Sequence, residues 1–159
     1  MRKINIAAIN KESIVDGPGI RYTIFFQGCE HGCPGCHNSS SHPIGTGVDV
    51  EIETIANNFL ANPYLDGLTI SGGEPLLQYE ALIELLKYIR SKNNNMNIIL
   101  YTGYTLEYLE STETYDELFH YINTLVDGPY IESLRDIKSG FTGSTNQKIY
   151  QIIDKVVKK

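Results

Sequence analysis

The sequence has few cysteines, no excess of basic residues and no long hydrophobic run. Its 159 residues include three cysteines, and 13 Lys+Arg against 19 Asp+Glu leave a formal net charge of −6. Binding to nucleic acid through phosphate neutralisation needs basic residues, so this balance argues against a nucleic-acid partner. The apolar runs fall far short of the roughly 18 residues of a membrane span, and the N-terminus lacks the apolar core of a signal peptide. We therefore expect a soluble, cytoplasmic protein with no membrane partner.

Length and composition are typical of one folded domain. A chain of 159 residues is close to the roughly 150 residues of an average domain and can bury about 70% of its unfolded surface without disulfides. Hydrophobic residues make up 42% and charged residues 20%, a balance that excludes a disordered chain. No repeat or low-complexity linker divides the sequence. We expect a single domain over residues 1–159.

The three cysteines, Cys29, Cys33 and Cys36, lie within eight residues of one another. An odd and clustered set is a poor disulfide framework, whereas closely spaced thiolates suit one soft metal centre. From these residues alone, two kinds of metal site stay open. One is a structural zinc site whose fourth ligand is a nearby histidine, and the other is a 4Fe-4S cluster with one iron free to bind a small molecule. The candidate histidines are His31, His37 and His42.

Apolar runs alternate with amphipathic helical patterns along the chain. Strands are predicted at residues 4–9, 21–27, 67–71, 97–101 and 123–126. Helices are predicted at residues 50–61, with Asp49 as the N-cap, and at 76–92, 105–110 and 115–121. The pattern over residues 148–153 leaves strand and helix open. Strands that alternate with helices predict an α/β fold with a parallel sheet and helical crossovers, too short for the roughly 250 residues of a complete eight-stranded barrel.

Glycine-rich or polar segments directly follow four of the predicted strands. These segments are the cysteine loop and residues 71–74 (SGGE), 102–103 (TG) and 127–128 (DG). In parallel β/α architectures the ligand site lies at the carboxyl ends of the strands. We therefore expect the four loops to meet at one rim of the sheet.

Two of these loops together resemble the motifs of the radical S-adenosylmethionine (SAM) enzymes. The motifs are Cys29-x3-Cys33-x2-Cys36 and the Gly-Gly-Glu-Pro segment that begins at Gly72. The resemblance implies an incomplete, partial TIM-like parallel β/α barrel of the radical SAM type. It also implies that the three cysteines hold one 4Fe-4S cluster per chain.

The same resemblance implies a set of SAM contacts. Gly72, Gly73 and Glu74 would bind the methionine amino group, and Asp127 would bond the ribose. Many members of the family have an aromatic residue against the adenine just before the third cysteine, where this sequence has glycine. The expected contacts beside the cluster are therefore Gly35, Cys36 and His37. No side chain is expected to act as a catalytic acid or base, because cluster and SAM carry the radical chemistry.

Further segments resemble the glycyl-radical-enzyme activases, and among these the branch that acts on anaerobic (class III) ribonucleoside-triphosphate reductases. They are VDGPGIR from Val15, FFQGC from Phe25, YTGY from Tyr101, DGPY from Asp127 and GSTNQK from Gly143. The resemblance implies reductive cleavage of SAM to a 5′-deoxyadenosyl radical, which installs a glycyl radical on the large subunit of the reductase. It also implies a reduced flavodoxin- or ferredoxin-like electron donor.

Two other functions stay open from the sequence. A small-molecule radical SAM enzyme, acting for instance on a deazapurine precursor, would turn over without a protein partner. A zinc-stabilised module or a simple iron–sulfur electron carrier would not bind SAM. Asp16 and Arg21 form either a structural ion pair or part of the site, and Asn146 and Gln147 are candidates by resemblance for site or partner contacts.

Overall fold

A computed structural model describes residues 2–29, 43–135 and 142–159 of the chain. Its strands are β1 (Lys3–Ser13), β2 (Arg21–Phe26), β3 (Val48–Glu51), β4 (Gly67–Gly72), β5 (Asn97–Tyr101), β6 (Thr124–Asp127), β7 (Lys148–Ile153) and β8 (Val156–Lys158). The α-helices are α1 (Ile52–Leu60), α2 (Tyr79–Lys92) and α3 (Leu106–Glu110), and 3-10 helices cover Pro75–Gln78, Glu113–His120 and Glu132–Leu134. No helix in the described ranges is long and apolar enough to cross a membrane.

The strands form one sheet in the order β3-β1-β2-β4-β5-β6-β7-β8. The four central strands β2, β4, β5 and β6 run parallel, which confirms the prediction for this part of the sheet. Helices α1, α2 and α3 lie in the three successive crossovers between them. Because β3 and β8 are its edges, the sheet of the described residues is open, and its four parallel strands with helical crossovers are consistent with an incomplete β/α barrel.

The outer strands are antiparallel, and the predicted parallel sheet with helical crossovers does not include them. Strands β1 and β3 add to one side of the parallel centre, and β7 and β8 add to the other. Residues Lys148–Ile153, which the sequence left open, are a strand. The alternation of strands and helices does not reveal such additions because an antiparallel neighbour needs no helical crossover.

The helix predicted over residues 115–121 is the 3-10 helix Glu113–His120, and two other predicted helices differ at their amino ends. Asp49 is not an N-cap, because it lies in β3 and its carboxylate accepts a hydrogen bond from Asn5 Nδ2 at 2.7 Å. Helix α1 begins at Ile52, and Glu51 precedes it without a side-chain cap. The helix predicted from residue 76 begins as the 3-10 helix Pro75–Gln78 before α2.

The apolar core lies between the helices and one face of the sheet. Ile24, Leu68 and Leu100 of three adjacent parallel strands are fully buried there, together with Leu82 and Leu85 of α2. Alternate residues of each strand point to the opposite face. We call that opposite face the inner face, and it carries Thr23, Phe25, Thr69, Ser71, Ile99, Tyr101, Val126 and Ile149.

Candidate functional site

The carboxyl ends of the four parallel strands meet at one rim, as the sequence predicts. The Glu74 N–H, in the loop after β4, donates to the Gly28 carbonyl oxygen after β2 at 2.6 Å. The Gly128 N–H, after β6, donates to the Tyr104 carbonyl oxygen after β5 at 2.9 Å. These bonds join loops that are distant in sequence into one continuous edge.

Glu74 links two of these loops through its carboxylate, which is fully buried. One oxygen accepts from the Gly103 N–H at 2.7 Å. The other accepts from the Thr102 hydroxyl at 2.9 Å and from the Leu76 N–H at 3.1 Å, which caps the 3-10 helix Pro75–Gln78. A buried carboxylate needs such donors to offset its lost hydration. Glu74 therefore holds the loops after β4 and β5 in place, and its contact with SAM stays a prediction.

Gly72 allows the loop after β4 to approach β2 closely. Its φ of +135° lies in a region that residues with a side chain rarely adopt, and a Cβ there would lie 2.5 Å from the Phe26 backbone nitrogen and closer still to the Phe26 carbonyl oxygen. Gly73 follows at the rim and is partly exposed. The glycine pair thus presents a backbone surface directly beside the end of the cysteine-bearing strand.

Cys29 lies partly exposed at this rim, immediately after Gly28. The Gly28 carbonyl oxygen accepts from the Glu74 N–H, so the first cysteine lies beside the Gly-Gly-Glu segment in space. A soft sulfur donor at the open end of parallel strands fits a 4Fe-4S cluster. The other predicted residues of this loop lie outside the described residues, and their roles stay predictions: Cys33, Gly35, Cys36 and His37.

Gln27 holds together the two described flanks of the cysteine segment, a role that the sequence analysis missed. Its buried side-chain amide donates to the Pro43 carbonyl oxygen at 2.7 Å and to the Thr46 hydroxyl at 3.1 Å. The Gln78 amide donates in turn to the Gln27 carbonyl oxygen at 3.1 Å. The sequence signal for this role of Gln27 is a polar residue at the end of an apolar run, directly before Gly28.

Asp127 lies at the rim end of β6, and its side chain is buried. One carboxylate oxygen accepts from the Leu106 N–H at the start of α3 at 2.8 Å. The other accepts from the Lys148 N–H at the start of β7 at 3.1 Å. The carboxylate therefore fixes the starts of two elements, and a bond to the ribose of SAM stays a prediction.

Arg21 serves the fold beneath the rim. It lies at the amino end of β2 with 1% of its surface exposed, and its guanidinium donates to the Thr69 hydroxyl at 2.8 Å and to Asn97 Oδ1 at 2.7 Å. Burial lowers the pKa of Arg21. The Asp16 carboxylate bonds the Ser13 hydroxyl instead of Arg21. Burial, with a contribution from the Asp16 charge, raises the pKa of Tyr101 to about 12.

Asn146 and Gln147 use their side chains within the molecule. The Asn146 amide donates to the Pro129 carbonyl oxygen and the Gln147 amide to the Gly128 carbonyl oxygen, both at 2.9 Å. Gln147 also accepts from the Gly143 N–H at 2.7 Å. The two residues thus attach the segment before β7 to the rim loop after β6, and a direct contact with SAM or a partner stays a prediction.

Known proteins are similar to this chain over most of its length. A family model described as a 4Fe-4S single cluster domain matches residues 15–150. The anaerobic ribonucleoside-triphosphate reductase-activating protein of Salmonella typhi is 32% identical over 145 residues, which cover 87% of this chain and 93% of that protein. The protein of the same name from Vibrio cholerae is 34% identical over 87% of this chain and 92% of that protein. The one from Enterobacteria phage T4 is 32% identical over 91% of this chain and 92% of that protein.

Among solved structures, the crystal structure of QueE from Escherichia coli aligns with 65% of this chain. The TM-score is 0.45 and the sequence identity is 17%. The chain spans about half of that structure, 53% of its length.

Proposed function

Because the chain belongs to the family of anaerobic ribonucleoside-triphosphate reductase-activating proteins, we propose that it installs a glycyl radical on the large subunit of such a reductase. It is a radical SAM enzyme with a 4Fe-4S cluster. The structural observation that carries the proposal is the hydrogen bond between Glu74 and Gly28, which brings the first cysteine of one motif beside the Gly-Gly-Glu segment of the other.

The chain's own residues would hold and orient the two cofactors. Cys29, with Cys33 and Cys36, would bind three irons through thiolates and leave one iron for SAM. When bound, the cluster supplies the electron that cleaves SAM, and SAM supplies the radical that takes a hydrogen atom from the target glycine. Gly72 and Gly73 are partly exposed and have no side chains of their own, so their backbone would contact the methionine group.

The remaining expected contacts belong to the same proposal. Glu74 would act on the SAM amino group directly or through the rim backbone that it positions. Asp127 would bond the ribose from the end of β6, and Gly35, Cys36 and His37 would contact SAM beside the cluster. We also propose a reduced flavodoxin- or ferredoxin-like electron donor and a cytoplasmic location with no membrane partner. The net charge of −6 supports the absence of a nucleic-acid partner.

The proposal is tested by SAM cleavage under anaerobic conditions. The protein is reconstituted with iron and sulfide, reduced with dithionite and given SAM, and 5′-deoxyadenosine is measured for the wild type, Cys29→Ala and Gly73→Leu. We expect product from the wild type only, with Cys29→Ala deficient in iron and Gly73→Leu loaded with iron but unable to bind SAM. Full iron content and product from Cys29→Ala would remove Cys29 from the site. Tight zinc binding without iron uptake by the wild type would contradict the enzyme function itself.

A further inference from the structure

Strands β7 and β8 form a hairpin at one edge of the sheet, and one face of this hairpin exposes three apolar side chains beside the polar pair Gln151 and Lys158. Ile149, Ile153 and Val156 are 45%, 54% and 54% exposed. Ile153 pairs with Val156 across the hairpin, and Ile149 lies on the same side of β7 four residues earlier. The other side packs on the core through Ile152, which is 6% exposed. A hairpin at a sheet edge that exposes large apolar side chains is typical of an interaction surface.

The charge of this hairpin is opposite to that of the whole chain. Residues 148–159 contain four lysines and one aspartate, a side-chain charge of +3 in a protein of net charge −6. Lys159 pairs with Glu110 at 2.9 Å. Of the other three lysines, Lys158 shares the exposed face, Lys155 lies in the turn at its tip, and Lys148 begins β7 on the opposite face. A surface that combines exposed apolar side chains with lysines is complementary to a partner surface that is apolar and acidic.

The turn of the hairpin favours glycine but contains lysine. Asp154 and Lys155 both have positive φ, 52° and 65°, as a two-residue type I′ turn requires. Glycine is preferred at the second of these positions because a side chain is strained there. Lys155 therefore costs folding stability and places an ammonium group at the tip of the hairpin.

The hairpin is joined to the candidate site by hydrogen bonds and strand pairing. The Lys148 N–H, at the start of β7, donates to the Asp127 carboxylate at the rim. In register across the sheet, Tyr101 pairs with Val126, and Val126 pairs with Ile149. The exposed face of the hairpin is thus the lateral continuation of the inner face. A protein that docks on the hairpin lies at a fixed position relative to the rim.

We propose that Ile149, Ile153, Val156 and Lys155 form the docking surface for the reductase, which meets it with an apolar and acidic surface. This inference rests on the proposed function, because the partner is the protein that receives the glycyl radical. The continuity of the hairpin with the inner face favours the reductase over a partner that needs no access to the rim.

The test compares Val156→Thr and Lys155→Gly with Val48→Thr. Val48 is 68% exposed on β3 at the opposite edge of the same sheet, so it is a matched control for Val156. Glycyl radical formation is measured against reductase concentration, with dithionite as the reductant and saturating SAM. We expect the half-saturating concentration of reductase to rise about fivefold or more for Val156→Thr and Lys155→Gly. SAM cleavage without reductase stays unchanged in all three variants, and Val48→Thr behaves like the wild type.

Lys155→Gly separates docking from folding. We expect this variant to resist urea better than the wild type because the turn strain is relieved, while it binds the reductase more weakly. A purely structural role of the turn predicts equal or better activation by the more stable variant, and that result would overturn the inference.

Three other results would also overturn the docking assignment. The first is an unchanged half-saturating concentration in both hairpin variants. The second is a wild-type dimer that Val156→Thr converts to a monomer, which would make a second copy the occupant. The third is a loss of activation in the hairpin variants that is seen only when a protein electron donor replaces dithionite.

The proposed function and the docking surface can fail separately. If the wild type binds the reductase in sedimentation but forms no glycyl radical, the proposed function fails. Weaker binding of the reductase by Val156→Thr would still support the docking surface.

Discussion

Thr23 and Thr69 are paired neighbours on β2 and β4, and both are fully buried on the inner face, yet their hydroxyls have different surroundings. The Thr69 hydroxyl accepts from Arg21 Nε and donates to the Asp16 carbonyl oxygen, both at 2.8 Å. The Thr23 hydroxyl has no hydrogen-bond partner among the described residues.

We expect Thr69→Val to lower the free energy of unfolding by about 1–3 kcal/mol, because it leaves two buried groups unsatisfied. Thr23→Val, in contrast, removes a buried hydroxyl without a partner and is expected to be neutral or stabilising. Urea unfolding of the two variants under identical anaerobic conditions measures the difference. An equal loss of stability in both would show that the Thr23 hydroxyl has a partner that this account misses.

Gly72 and Gly45 both have positive φ, +135° and +74°, but differ in the space around them. A Cβ at Gly72 would meet the Phe26 backbone, whereas one at Gly45 would meet nothing within 4 Å. Gly72→Ala is therefore expected to destabilise the fold by at least about 1 kcal/mol more than Gly45→Ala and to lower SAM affinity by moving the loop after β4. Equilibrium unfolding and SAM binding by the iron-loaded protein test this, and equal effects of the two variants would contradict it.

The sequence identifies the rim residues well but not their partners. Gly72, Glu74 and Asp127 can be predicted because each belongs to a motif that lies at or directly after the end of a predicted strand. The hydrogen bonds from Thr102 to Glu74 and from Gln27 to Thr46 join loops that are distant in sequence. No local pattern encodes such contacts.

At the scale of the elements, the Gln27 side chain directly joins the two described flanks of the cysteine segment. Gln27→Leu removes the hydrogen bonds to Pro43 and Thr46 while preserving an apolar fit. We expect this variant to take up less iron on reconstitution, because the returning end of the cysteine segment loses its anchor. Gln151→Leu is the control, since Gln151 is exposed and its side chain accepts only from the Thr124 hydroxyl in the described part of the chain, at 3.2 Å. Normal iron content in Gln27→Leu would refute the anchoring role.

The elements with strong periodicity are predictable, and the weak edge strands are not. Strand β5 has the predicted bounds, and α2 lies within its predicted helix. β3 has only four residues (VDVE), none of them buried, and they run directly into the helical pattern, so the sequence predicts Asp49 as an N-cap. The three residues of β8 are too short for a periodicity to be detected.

At the scale of the molecule, one sheet runs through all the described ranges, and we propose on this basis that the chain is one domain. The sheet is open at β8, and its inner face leads from the rim to the hairpin of β7 and β8. The rim would hold the cofactors, and the hairpin would hold the protein substrate. Acidic residues dominate the whole chain while lysines dominate the hairpin, so the molecule is electrostatically polarised toward that edge.

The most direct measurement of the central claim is electron paramagnetic resonance of the anaerobic ribonucleoside-triphosphate reductase after incubation with this protein, SAM and a reductant. The account predicts a glycyl radical signal on the reductase that requires SAM and disappears with Cys33→Ala. A wild-type protein that carries a complete cluster and cleaves SAM but leaves the reductase without a radical would contradict it, as would an undiminished signal with Cys33→Ala.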